Sequence, residues 1–142
     1  MEILQKVFKT LSDPTRVRVL ALLERLRALD MLDCLGMLHC HPGSQITRIN
    51  VLRDALQEMA CSWVALREAG APVTCVDVGG GLGVDYEGTA SASACSVNYD
   101  VEHYAESVVE VFMAMARQYD LPVPDLMSES GRALTAHHAV LV

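Results

Sequence analysis

The chain has 142 residues, of which 51% are hydrophobic, 20% charged and only 5% aromatic. That length suits one domain with a buried core, and no apolar run approaches the ~18 residues of a membrane-spanning helix. The formal net charge of −7 is unevenly spread: residues 1–30 hold six Lys/Arg against four Asp/Glu, and the remainder five Arg against fourteen Asp/Glu, so the acidic body is a poor partner for a phosphodiester backbone.

The N-terminus lacks the basic-then-apolar pattern of a secretory signal, so a cytoplasmic protein with no membrane partner is expected. Ile3, Leu4, Val7, Phe8 and Leu11 are spaced as one face of a helix over 2–11. Asp13 followed by Pro14 reads as an N-cap with proline at the first helical position, and predicts a second helix to about Leu29. "CLGMLH" (34–39) predicts a short strand, with "HPGSQ" (41–45) as its loop. Asn50 is placed to cap a long helix with Leu52, Ala55, Leu56, Met59, Trp63 and Leu66 on one face, stopped by Gly70 and Pro72.

"VTCVDV" (73–78) predicts a buried strand that runs into Gly79, Gly80, Gly81 and Gly83. Residues 87–99 are rich in Ser, Ala and Gly and read as a long loop, a length that points to function. Asp100 caps a further helix with Val101, Tyr104, Ala105, Val108, Phe112 and Met115 on its apolar face. "DLMSE" (125–129) predicts a third strand with "SGR" as its loop, and "HHAVLV" (137–142) a strand at the end. Internal repeats are absent. The cysteines at 34, 40, 61, 75 and 95 are odd in number and form no C-x-x-C. They are expected to be small buried hydrophobes in a reducing compartment, with neither disulfides nor a cysteine zinc site.

Strands alternating with amphipathic helices from residue 34 onward imply α/β architecture with a parallel sheet. In such folds ligands bind at the carboxyl ends of the strands, which places "HPGSQ", "GGGLGVDY" and "ESGR" on one rim. The glycines fit no common nucleotide fingerprint. G-x-G-x-x-G counted from Gly79 meets Val84, counted from Gly81 it meets Tyr86, and a P-loop lysine is missing. Two readings remain: a cradle of backbone N–H groups for an anionic oxygen cluster, or a tight turn closing the strand.

His39 and His41 are two residues apart on a strand and share a face. A metal reading needs a third ligand from His103, His137 or His138. The other readings are rim or core histidines, or an imidazole stacked on a cofactor ring with the Ser44 hydroxyl near a phosphate or phenolate oxygen. Glu129 and Arg132 form either a surface ion pair or a carboxylate for a pyridine nitrogen and a guanidinium for a phosphate. Taken together, the three loops supply what pyridoxal phosphate requires.

The stretches "LRALDMLDCLGMLHCHPGSQI", "VTCVDVGGGLGVDYEGTASASACSVNYD" and "SESGRALTAHHAVLV" closely resemble the biosynthetic arginine decarboxylases, pyridoxal-phosphate enzymes of the alanine-racemase-like barrel class. The resemblance runs from about Leu20 to Val142. It implies a partial (β/α)8 TIM-type barrel of about three strand–helix units. A short helical hairpin precedes it, so that residues 1–30 form an N-terminal segment and 31–142 the cofactor-binding domain. It implies that His41 stacks on the cofactor ring and that Ser44 contacts the cofactor. Gly79, Gly80 and Gly81 would hold the phosphate within a ligand- and substrate-binding stretch of Val76, Asp77, Val78, the three glycines, Leu82, Gly83, Val84, Asp85 and Tyr86. Glu129 would pair with the pyridine nitrogen, and Gly131 and Arg132 would complete the phosphate site. The implied reaction is decarboxylation of L-arginine to agmatine for polyamine (spermidine) synthesis, in a homo-oligomer that often uses magnesium.

Departures from the family pattern are local and global. The family usually reads "HFHLGSQ", and here Cys40 and Pro42 intervene, the proline removing an N–H beside the stacking histidine. The Schiff-base lysine that the family carries on an early strand has no counterpart, since the only lysines are Lys6 and Lys9. The family's remaining substrate-binding acid and its catalytic cysteine belong to a C-terminal domain. The expectation is therefore a fragment with the cofactor rim and no catalytic residue of its own. Separately, "VFKTLSDPTRVRVLALL" resembles the opening of the arsenic-responsive winged-helix repressors over roughly residues 4–23. That suggests, as an alternative, an incomplete DNA-binding regulator. The recognition helix and wing have no counterpart, so a capped helical hairpin without a DNA role is the preferred reading.

Overall fold

A computed structural model describes residues 14–86 and 96–136. The expected helix over 2–11, the Asp13 cap, Cys95, most of the 87–99 loop and the "HHAVLV" strand lie outside these. The elements are α1 (Pro14–Ala28), a 3-10 turn (Leu32–Cys34), β1 (Met37–His39), α2 (Ile49–Glu68), β2 (Cys75–Asp77), α3 (Val101–Gln118), β3 (Asp125–Met127) and α4 (Gly131–Thr135). The strands form one parallel sheet in the order β1-β2-β3. In register, Met37, Cys75 and Asp125 align at one end and His39, Asp77 and Met127 at the other.

Each strand is shorter than its sequence pattern suggests: Cys34 belongs to the 3-10 turn ahead of β1, and ladder pairing in β2 and β3 stops at Asp77 and Met127, where the rim turns begin. Between the strands lie α2 and α3, as a parallel sheet requires. Leu52, Leu56, Met59, Ala60, Trp63 and Val64 of α2 recur at helical spacing and are buried. They meet Tyr104, Val108, Phe112, Met115 and Ala116 of α3. Trp63 and Phe112 pack edge-to-face with centroids 6.1 Å apart, and Trp63 Nε1 donates to the Val73 carbonyl on the approach to β2 at 3.1 Å. Leu23 of α1 is buried in the same cluster, and the Arg27 guanidinium donates to the Ala69 carbonyl beyond α2.

Asp100 caps α3 as expected, its Oδ1 accepting from the His103 N–H at 2.8 Å. Asn50 does not cap α2. The helix begins two residues earlier, after Arg48, and the Ile49 N–H is taken by the side-chain oxygen of Asn98 at 2.9 Å. A residue 49 positions away supplies the cap, which no local pattern encodes. The "SGR" stretch is a helix start rather than a loop, since Gly131 and Arg132 open α4.

Two further expectations are corrected. Val101 and Ala105 are exposed, because the first turn of α3 overhangs an open groove that also includes Leu134. The cysteines are not uniformly buried: Cys34 and Cys61 are exposed and Cys40 and Cys75 half-buried, all four as free thiols. Cys61 lies on the outer face of α2, one position from the buried Ala60. No described helix is long and apolar enough to cross a membrane.

Candidate functional site

The shared register of His39, Asp77 and Met127 makes the three following segments emerge side by side. Backbone bonds stitch them together. The Cys40 N–H donates to the Asp77 carbonyl and the Val78 N–H to that of Met127. Glu129 N–H donates to Gly79 O at 2.8 Å, and Ile46 N–H to Gly81 O at 2.9 Å. Gln45 adds a side-chain rung: its Nε2 donates to Val84 O at 2.6 Å and its Oε1 accepts from Val84 N at 3.1 Å. Tyr99 adds another, its hydroxyl accepting from Gly83 N–H and donating to Ile46 O at 2.6 Å.

This stitching explains the glycines. A Cβ on Gly79 would overlap the Cys40 carbonyl, and one on Gly81 that of Gly43; both residues sit at positive φ, +68° and +89°. Gly80 and Gly83 face the carbonyls of Glu129 and Ile46 in the same way. What closely approaches these glycines is, first of all, the neighbouring rim backbone.

The rim encloses a cavity of about 270 Å³. His41, Ser44 and Gln45 line it from the first loop, Gly81 and Leu82 from the second, and Glu129, Ser130 and Arg132 from the third. Five of the expected contact residues, His41, Ser44, Gly81, Glu129 and Arg132, therefore share one cavity. Gly79 and Gly80 are buried between the flanking loops. Gly131 lines the adjoining groove. Of the stretch 76–86, Gly81 and Leu82 face the cavity, whereas Val76, Val78 and Val84 are core residues and Tyr86 is 58% exposed. Asp85 accepts from the Ser96 hydroxyl at 3.0 Å.

Asp77 is buried, and both its oxygens are engaged. Oδ1 accepts from Gly79 N–H at 2.9 Å and Oδ2 pairs with His39 Nδ1 at 2.8 Å. The Gly79 N–H, and then the His39 bond and charge, hold its carboxyl below the ordinary aspartate range against the opposing effect of burial. Burial and the nearby Glu58 charge push the Cys40 thiol up, and burial raises the Tyr99 hydroxyl.

His39, Asp77 and Glu129 offer ligand atoms within 4.8 Å of one another. This differs from the histidine set of the sequence reading. His103 pairs instead with Asp100 at the start of α3, and His137 and His138 lie outside the described residues. The cluster suits magnesium poorly, because that ion takes oxygen ligands in an octahedron and one donor here is an imidazole.

Pyridoxal phosphate fits the cavity's donor set better. Among the described residues, the side chains of His41, Ser44, Glu129 and Arg132 have no hydrogen-bond or ion-pair partner, and Glu129 and Arg132 do not pair with each other. A guanidinium, a carboxylate and an imidazole are thus available to a phosphate, a pyridinium and a ring face. Sequence reasoning passed over Gln45, Ser130 and the pairing of His39 with Asp77. Gln45 adjoins Ser44, but nothing local shows that it would reach Val84.

The family described as "Pyridoxal-dependent decarboxylase, pyridoxal binding domain" matches residues 14–136. A biosynthetic arginine decarboxylase of Aeromonas salmonicida is 56% identical over 125 residues, 88% of this chain and 20% of its own length. Another, from Alkalilimnicola ehrlichii, is 52% identical over 128 residues, 90% of this chain and 20% of its own. The solved biosynthetic arginine decarboxylase of Campylobacter jejuni superposes with a TM-score of 0.71 at 36% identity, over 80% of this chain and 20% of that one. A diaminopimelate decarboxylase of M. jannaschii gives 0.53 at 27% identity, over 68% and 20%. The chain therefore spans about a fifth of the length of the curated relatives it matches. From residue 14 onward, the stretch that resembles a repressor opening falls within the decarboxylase family match.

Proposed function

Because the chain belongs to the family of pyridoxal-binding domains of pyridoxal-dependent decarboxylases, we propose that it forms the cofactor rim of a biosynthetic arginine decarboxylase. That enzyme converts L-arginine to agmatine and carbon dioxide for polyamine synthesis, as a homo-oligomer in the cytoplasm. The observation that carries the proposal is the convergence of His41, Glu129 and Arg132 on one cavity.

When bound, pyridoxal phosphate supplies an electron sink for the electrons left as the carboxyl group departs. The chain's own residues bind and orient. Arg132, with the backbone at Gly131 and in the Gly79–Gly81 turn, where the Gly79 N–H is already given to Asp77, would hold the phosphate through charge-assisted hydrogen bonds. The Glu129 carboxylate would keep a proton on the pyridine nitrogen. His41 would offer its imidazole to the ring, and Ser44 its hydroxyl to a phosphate or phenolate oxygen. The domain from residue 31 to 142 carries this rim, and the helix before residue 30 packs on its core through Leu23 and on the Ala69 carbonyl through Arg27.

Gly131 provides the test. Among the described residues nothing lies within 4 Å of a Cβ placed there, and its φ is not positive, so protein packing does not require a glycine. Gly131→Ala is expected to leave the melting temperature unchanged while weakening pyridoxal-phosphate binding by about tenfold. Arg132→Ala should weaken it by about 10- to 100-fold, the range for a lost hydrogen bond to a charged group. Titration of the chain followed by cofactor absorbance and Trp63 fluorescence reads both. A chain that binds no pyridoxal phosphate, or variants that bind it as the native chain does, would overturn the proposal.

A further inference from the structure

His39 does not line the cavity, yet it is joined to it through a chain of hydrogen bonds that crosses all three strands. It is the last residue of β1, opposite Asp77, the last residue of β2. Its Nδ1 meets Asp77 Oδ2 at 2.8 Å, the other carboxylate oxygen takes the Gly79 N–H at 2.9 Å, and the Gly79 carbonyl takes the Glu129 N–H at 2.8 Å. A carboxylate only accepts, so His39 Nδ1 must carry the proton.

Asp77 is 8% exposed, so the two donors are what compensates its buried charge. Gly79, at φ +68°, is the first residue of the turn whose far end, Gly81, lines the cavity. Its amide direction is set by the carboxylate, and the carboxylate is steadied by His39.

We propose that His39 and Asp77 are positioning residues for the phosphate turn: one carboxylate, gripped by the His39 Nδ1–H and the Gly79 N–H, fixes the orientation of the Gly79–Gly81 backbone toward a phosphate group. The inference rests on the reading of the rim as a pyridoxal-phosphate site and deepens it. It assigns discrimination between the phosphorylated and unphosphorylated cofactor to two side chains that stand outside the cavity.

The experiment uses the full chain with three substitutions. His39→Ala removes the donor to Asp77. His39→Asn keeps an N–H near the position of Nδ1. Asp77→Asn keeps an oxygen for Gly79 but turns an amide N–H toward Nδ1, which must then give up its proton. Three quantities are read: the Gly79 amide exchange rate, the ¹⁵N shift of His39 Nδ1, and the dissociation constants for pyridoxal phosphate and for pyridoxal.

His39→Ala is expected to speed Gly79 exchange by about tenfold and to cut the preference for pyridoxal phosphate over pyridoxal by about tenfold, the size of one lost hydrogen bond to a charged group. Pyridoxal affinity should stay within about twofold of native. His39→Asn should restore both, which separates loss of the bond from failure to fold. Asp77→Asn should move the Nδ1 shift to that of an unprotonated nitrogen.

Unchanged Gly79 exchange in His39→Ala would overturn the proposal. So would a proportional loss of both affinities, because that is the mark of a merely structural residue. A native chain that takes up neither compound overturns the function reading and with it the phosphate half of this one. The Gly79 exchange rate then still decides the His39 link.

Discussion

Gly81 sits at φ +89°, and a side chain there would run into the carbonyl of Gly43. Gly36 has neither problem: its φ is not positive, and no described atom lies within 4 Å of a Cβ built on it. Gly81→Ala is therefore expected to destabilise the chain by at least about 2 kcal/mol, from left-handed strain and displaced rim backbone. Gly36→Ala should stay within about 0.5 kcal/mol of native, and urea denaturation of the pair measures the contrast. Asp77 contributes in a pH-dependent way. Its carboxyl is held below the ordinary value by Gly79 and His39. The stability it adds is thus fully present above about pH 4, the unfolded value, and is lost as pH falls through the lower folded value. Melting curves collected from about pH 5 downward should show a shallower acid decline for Asp77→Asn than for the native chain. The residue types at the rim were legible in the sequence. Their partners were not: the sequence leaves the glycines as either an anion cradle or a tight turn, whereas the nearest objects to them are carbonyls of loops more than thirty residues away.

Among the described residues, all three long helices end in the same hydrogen-bonded turn. Met31 N–H returns to Leu26 O, Ala71 N–H to Leu66 O and Leu121 N–H to Ala116 O, each across a residue at positive φ: Asp30, Gly70 and Asp120. This is the Schellman arrangement. Gly70 was readable as a stop because glycine takes that conformation freely, whereas Asp30 and Asp120 take it at some strain that their short polar side chains tolerate. Asp120→Ala should lower stability by about 1 kcal/mol, with Asp120→Gly at or above native, as judged by thermal unfolding. The helix starts show the same division. The Asp100 cap is a local bond over three residues and could be read from the chain, while the Asn98 bond to Ile49 depends on the loop after β2 returning to the start of α2. Strand lengths were overestimated for a related reason. Apolar patterning marks what is buried, and Val73 and Val78 are buried without belonging to β2.

In the molecule as a whole, stability concentrates where α2 and α3 cover the sheet. Phe112 is fully buried against Trp63, and Phe112→Ala is expected to cost about 3–5 kcal/mol. Against a total of about 5–15 kcal/mol for a domain, that loss should lower the urea midpoint by about a fifth or more of its native value. A smaller loss would mean that the core tolerates the void. The rim packs on this core through Val78 and Leu82, and its loops are further held to each other by Gln45, Tyr99 and the backbone bonds across Gly79 and Gly81. By itself the sequence determined the alternation of strand and helix, the parallel sheet that alternation demands, the faces of α2 and α3, and the residue types His41, Glu129 and Arg132 that suit one cofactor. These follow from periodicity, capping chemistry and local motif, which act over a few residues. Only the tertiary structure decided that Asp77 turns toward His39 and Gly79, that Asn98 caps α2, and that each rim glycine answers to a neighbouring carbonyl. Such contacts join segments tens of residues apart, and their geometry is set by the register of three strands, which no short stretch of chain contains.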